Sequence, residues 1–161
     1  MNIRPARTED LSSALEIYKI ARKFMLNNGN PEQWGEVYPP DDLVEFDIEN
    51  ERLYVIEENG AIEGVFAFFK NGDPLYDDID GKWLNSEPYV AVHRVASAGR
   101  VKGIFSAILD FCVSYSNNVK IDTYKENAIM LHILEKNGFV KCGTVICEDM
   151  PFIVFQKNQS N

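Results

Sequence analysis

Residues 89–111, YVAVHRVASAGRVKGIFSAILDF, decide how the chain is read. Tyr89 to Ala96 is rich in β-branched and aromatic residues and reads as a strand. It runs into Ser97-Ala98-Gly99-Arg100-Val101-Lys102-Gly103, and Ile104 to Tyr115 then follows helical spacing. A helix that starts straight after a strand exposes unpaired N–H groups and a partial positive charge at its first turn. Phosphates bind at such a turn, and glycine lets the backbone come close to them. Arg100 and Lys102 add charge there. The bland alternative is a tight turn with two solvated basic side chains. The turn has neither the GxxxxGK[ST] spacing of a nucleoside-triphosphate loop nor the GxGxxG spacing of a dinucleotide fingerprint.

Outward from this stretch, the second half alternates strand and helix. Lys120 to Thr123 reads as a strand, Glu126 to Lys136 as a helix, and Phe139 to Cys147 and Phe152 to Gln156 as strands. Such alternation calls for a parallel crossover. In the first half, Ile3 to Ala6 reads as a strand. Thr8 is a candidate N-cap for a helix carrying Leu11, Ala14, Leu15, Tyr18, Ala21 and Met25 on one face. Asn27-Asn28-Gly29 stops that helix. Gly29 to Pro40 reads as a loop and Asp41 to Asn50 as a short helix. Leu53 to Glu57 and Ile62 to Phe69 read as strands joined at Asn59-Gly60, the preferred two-residue hairpin turn. Lys70 to Glu87 is a polar stretch. The order is βααββ followed by βαβαββ, which implies an α/β domain with a mixed sheet.

The bulk properties exclude several classes. A chain of 161 residues fits a single domain spanning residues 1–161. The net charge of −9 argues against nucleic acid and anionic membrane as partners. No apolar run approaches a membrane span, and no secretory leader is visible near Met1. Cys112, Cys142 and Cys147 form no metal-ligand spacing, so no metal is expected, and their odd number fits reduced thiols in the cytoplasm. Asp78, Asp80, Gly81 and Glu87 imitate part of a calcium loop, but Tyr76 stands where its first carboxylate belongs.

Two motifs then carry a resemblance. Arg100-Val101-Lys102-Gly103-Ile104 resembles the R/Q-x-x-G-x-G/A pyrophosphate motif of the GNAT acetyltransferases. Asn127, with Glu135-Lys136-Asn137-Gly138-Phe139 after it, resembles their Asn…EKxGF motif. The element order matches too, so the resemblance covers nearly the whole length. Gln33-Trp34, Tyr38-Pro39 and His93-Arg94 are similar to motifs of a bacterial subgroup whose substrate is unassigned. Two positions depart from the pattern: Phe105 replaces a small residue, and Val101 a common glycine. The resemblance implies a mixed central sheet with two splayed central strands, flanked by about four helices. It implies acetyl-CoA as co-substrate and N-acetyl transfer to a small amine, with a homodimer as a frequent state. Main-chain groups of Val95, Ala96 and Ser97 would pair with the pantetheine arm. Amides from Arg100, Val101, Lys102, Gly103, Ile104 and Phe105 would hold the pyrophosphate, and Asn127 would contact the pantetheine.

The acid and base are less determined. Many relatives place a Tyr acid on the last helix, and Leu134 stands there in this chain. His93 is the leading base, since histidine titrates near neutrality; a structural histidine is the alternative. Tyr124 is a candidate proton donor or an aromatic lid. Gln33, Trp34, Tyr38, Trp83 and Tyr89 are candidates for the acceptor site, because aromatic rings in loops stack on cations, although such rings also pack loops onto cores. The loss of the Tyr at 134 keeps open a non-catalytic acyl-CoA-binding domain as the alternative function.

Overall fold

A computed structural model describes residues 1–159. The described residues fold into eight strands and four α-helices. The strands are β1 (Asn2–Pro5), β2 (Leu53–Glu58), β3 (Ala61–Phe69), β4 (Asp80–Gly81), β5 (Val90–Ser97), β6 (Asn118–Thr123), β7 (Val140–Cys147) and β8 (Met150–Asn158). The helices are α1 (Leu11–Asn27), α2 (Asp41–Glu49), α3 (Ile104–Val113) and α4 (Ala128–Lys136). The residues gather into two compact units, Met1–Phe68 with His93–Phe111 and Phe69–Val92 with 112–159. β5 and α3 change unit along their own length.

In the first unit the strand order is β1-β2-β3-β5. β2 and β3 are antiparallel. Asn59 and Gly60 join them with φ of 54° and 80°, the two left-handed residues that the hairpin turn needs. Alternation explains β2: Leu53 and Val55 are fully buried, with Tyr54 between them half-exposed. α1 lays Ala14, Ile17, Tyr18 and Ala21 on this core at helical spacing. The start of α1 differs from the expectation. Thr8 caps nothing: a 3-10 turn at Thr8–Asp10 precedes the helix. The Asp10 carboxylate reaches back to accept from the Arg7 amide at 2.7 Å and from Arg4 of β1 at 2.7 and 3.1 Å. An aspartate two residues further on thus ties strand, turn and helix together.

In the second unit the order is β5-β6-β8-β7-β4. β5 and β6 run parallel, with Val90, Ala91 and Val92 opposite Val119, Lys120 and Ile121. β6–β8, β8–β7 and β7–β4 are antiparallel, so the sheet is mixed, as read from the sequence. β4 lies inside the polar stretch and went unread there. It is two residues long, and Gly81 faces Gly143 of β7 so closely that a Cβ on either would collide with the opposite main chain. A 3-10 turn at Pro74–Tyr76, capped by the Asp73 side chain, buries Tyr76 in the core of this unit. Among the described residues no helix is long and apolar enough to cross a membrane.

Candidate functional site

The turn between β5 and α3 lies in the first unit. Ser97 Oγ accepts from the Gly99 amide at 3.0 Å, and the Ala98 amide donates to the main-chain carbonyl of Glu63 on β3 at 2.9 Å. These bonds fix the bend and leave the following residues outward. Gly99, Arg100, Lys102 and Gly103 are exposed. Gly99 and Gly103 have φ of 78° and 85°, a region that glycine enters without penalty. A Cβ added at Gly99 would meet no atom within 4 Å, and one at Gly103 only Met1 Cε at 3.8 Å. The cradle over the start of α3 is therefore open. Gly103 carbonyl accepts the first helical bond from Ala107, so the amides just before 107 have no place in the helical ladder. An open turn at the start of a helix and an exposed Lys102 fit a phosphate group.

Arg100 is placed differently from Lys102. Its Nε lies 3.0 Å from the Glu63 carboxylate, and Nη2 donates to the Ile62 carbonyl at 3.2 Å. Glu63 is buried, so the guanidinium neutralises an internal anion and braces the turn against β3. Lys102 carries the turn's unspent positive charge into solvent. Ile104 seats the helix: its methyl comes 3.0 Å from where a Cβ on Gly64 would stand, so glycine in β3 lets α3 start here.

Before the turn, Val95 and Ser97 are half-buried and Ala96 is buried. His93 is half-buried one residue ahead of Arg94. Arg94 has φ of 52°, inside a strand. Its main-chain oxygen accepts from the Tyr18 hydroxyl at 2.8 Å. Its side chain donates to both oxygens of Asp47 on α2, at 2.8 and 3.0 Å, and to the Tyr38 hydroxyl at 3.4 Å. Burial alone would pull the Arg94 guanidinium down, but Asp47 and Tyr38 outweigh it and raise it. Burial pushes the Tyr18 phenol far up, so it stays a donor. Trp34 packs edge-on to Tyr18 with centroids 5.8 Å apart and leans on Tyr38 at 6.2 Å. Gln33 Oε1 accepts from Asn30 at 2.7 Å. The structure thus brings Trp34, Tyr38 and Arg94 into one cluster with α1 and α2. The sequence does not single out Asp47, and it marks Tyr18 only as part of the apolar face of α1, because their links to Arg94 join residues 47 and 76 positions apart.

The remaining candidates lie in the second unit. Trp83 and Tyr89 face each other across an internal cation: Lys120 Nζ sits 3.9 Å from one ring centre and 3.8 Å from the other. Burial pulls the Lys120 ammonium below its usual range. The indole N–H donates to the Tyr76 carbonyl at 2.9 Å, and the Tyr89 hydroxyl donates to the Asp73 carbonyl at 2.9 Å. Tyr76 in turn donates to Asp122 of β6 at 2.6 Å. Two charged residues at alternate positions of β6, Lys120 and Asp122, were the signal for this polar face. Tyr124 is buried with its ring against Phe152 at 5.4 Å. Asn127 is the N-cap of α4, its Oδ1 accepting from Met130 at 3.0 Å. Leu134 is fully buried.

No protein-family model matches the chain, and no curated protein matches it. Solved structures do. A GNAT-family acetyltransferase from Streptococcus agalactiae is 27% identical with a TM-score of 0.86, over 98% of this chain and 94% of that one. A GNAT-family acetyltransferase from Listeria monocytogenes is 18% identical with a TM-score of 0.69, over 97% and 93%. A ribosomal-protein-alanine N-acetyltransferase from Brucella melitensis is 19% identical with a TM-score of 0.65, over 98% and 99%. At 18 and 19% the last two speak for the fold alone. The first goes further, since it joins the fold to a higher identity along nearly the full length of both chains. The family pointed to by the two sequence motifs is the family of the matching folds: this chain is an acyltransferase of the GNAT superfamily.

Proposed function

We propose that the chain transfers an acetyl group from acetyl-CoA to the amine of a small molecule. The open turn from β5 into α3 carries this reading, because two left-handed glycines at the start of a helix suit a pyrophosphate. Amides from Arg100 to Phe105 hold the pyrophosphate, with Lys102 as its nearest cation. Main-chain groups of Val95, Ala96 and Ser97 align the pantetheine as an added strand, and Asn127 supports it. In the transfer the ammonium of the acceptor loses a proton. The amine nitrogen bonds to the acetyl carbon, the carbon–sulfur bond breaks, and the sulfur leaves as thiolate to be protonated. His93 takes the first proton and Tyr124 supplies the second. Gln33, Trp34 and Tyr38 shape the acceptor site; Trp83 and Tyr89 contribute by fixing the segment that carries them over Lys120. The protein acts in the cytoplasm, as one domain that pairs into a homodimer.

A second reading draws on one observation. Leu134, where relatives carry a phenol, is fully buried in apolar core, and the Tyr124 ring is packed against Phe152. A domain without a placed acid suits acyl-CoA binding without turnover.

Acetyl-CoA should raise the Tm of the wild-type protein by linkage. Gly103→Val, which puts a β-branched side chain at φ 85°, should abolish that rise. An unchanged rise in the variant would sink the assignment. Release of free thiol from acetyl-CoA across a panel of alkyl and aryl amines separates enzyme from sensor, since a sensor binds without releasing coenzyme A.

A further inference from the structure

β6 alternates two kinds of side chain, as a strand must. Lys120 and Asp122 serve the polar face described above. Val119, Ile121 and Thr123 share the other face, at 2%, 4% and 1% exposure. A hydroxyl therefore stands in an apolar, buried row. Thr123 Oγ1 is one of three buried side-chain polar atoms, among the described residues, that have no hydrogen-bond partner. The other two belong to groups that are engaged at a second atom. Glu63 accepts from Arg100 Nε at its Oε1, at 3.3 Å, with the same nitrogen 3.0 Å from Oε2, and Asn30 donates through its Nδ2 to Gln33. The Thr123 side chain has only the one polar atom.

Leaving a buried hydroxyl unpaired is costly, whereas valine has nearly the same shape and carries no such cost. The position of Thr123 suggests what offsets the cost. It is the last residue of β6, the strand that runs parallel to β5. In sheets of this kind, ligands lie beyond the carboxyl ends of the parallel strands. We infer that the Thr123 hydroxyl donates a hydrogen bond to the acyl-pantetheine arm of the co-substrate, at an amide carbonyl or at the sulfur. The inference rests on the acetyl-CoA reading proposed above. It assigns this chain a polar contact that neither motif contains, on a strand face otherwise built for packing.

Thr123→Val and Thr123→Ser should move stability and affinity in opposite directions. Thr123→Val removes the unpaired hydroxyl, so its Tm without ligand should equal or exceed that of wild type, while calorimetry should show acetyl-CoA binding about fivefold weaker, the size of one net hydrogen bond. Thr123→Ser loses a buried methyl, so its Tm should fall while its acetyl-CoA affinity stays within about twofold. Desulpho-CoA locates the partner atom: a penalty that persists in Thr123→Val points to the carbonyl, and one that vanishes points to the sulfur. If wild-type protein binds acetyl-CoA and Thr123→Val binds it equally well, the inference is overturned and the function proposed above stands. A clear drop in the Tm of Thr123→Val without ligand also overturns it, since the hydroxyl would then be satisfied within the protein. Wild-type protein that ignores acetyl-CoA overturns both readings together.

Discussion

Arg94 holds a backbone conformation that bulky residues seldom adopt, with φ of 52° in mid-strand. Such a residue stores roughly 1–3 kcal/mol and persists only where its surroundings over-determine it. Here the Tyr18 hydroxyl fixes its carbonyl, and Asp47 grips its guanidinium with two bonds. Asp47 has a side chain 1% exposed, so Asp47→Ala leaves the Arg94 cation buried without its counter-ion. The loss in urea unfolding should be about 3 kcal/mol or more. A loss below about 1 kcal/mol would mean that the strand keeps its shape without the pair. Asp10 supports a pH prediction. Its hydrogen bond from Arg4 is the largest influence and, despite the opposing effect of burial, holds the carboxyl below its ordinary value. A depressed carboxylate contributes stability above its unfolded pKa of about 4, and that contribution is lost as pH falls through the folded value. Asp10→Asn should therefore be less stable than wild type at pH 7, and the gap should narrow progressively below pH of about 4. A gap independent of pH would show that the two Arg4 bonds work without the charge.

α4 begins at a residue with two roles to separate. Asn127 caps the helix through Oδ1, and the cofactor reading assigns it to the pantetheine as well. Asn127→Ala should lose about 1 kcal/mol of stability as a missing cap. Asn127→Ser keeps a capping oxygen and should restore most of that stability. If acetyl-CoA affinity remains low in the serine variant, the carboxamide itself contacts the ligand; full affinity there would leave Asn127 a cap alone. At the scale of elements the sequence was largely legible. Apolar spacing marked α1, Asn59-Gly60 marked the β2–β3 turn, and alternation of strand and helix marked the parallel crossover. These features are local, written within one or two turns of chain. β4 escaped because it is two residues whose strand partner, β7, lies about sixty residues on. The candidate site divided the same way. The glycine turn was readable from its own residues. The bracing of Arg100 by Glu63, the clamp on Arg94 and the seat of Lys120 depend on partners brought together only by folding. The two rings read as acceptor binders, Trp83 and Tyr89, have their faces on an internal ammonium, a pairing that loop composition cannot reveal.

Across the molecule, a net charge of −9 disfavours the distant approach of an anion. On the proposed reading, binding of a pyrophosphate would rest on short-range contacts, to the main chain of the open turn and to Lys102. The chain also divides its aromatic chemistry between its compact units. Of its two tryptophans, Trp34 packs with Tyr18 and Tyr38 in the first unit, and Trp83 lies against Lys120 in the second. Trp34→Phe leaves an emission spectrum that comes from the second unit alone, and Trp83→Phe one from the first alone. Denaturation followed by fluorescence in the two variants should give superimposable curves, after correction for each variant's own stability, if the units melt together. Separate midpoints would mean that each unit opens by itself. Two indoles so placed turn the question of cooperativity into a comparison of colours, with no label to attach.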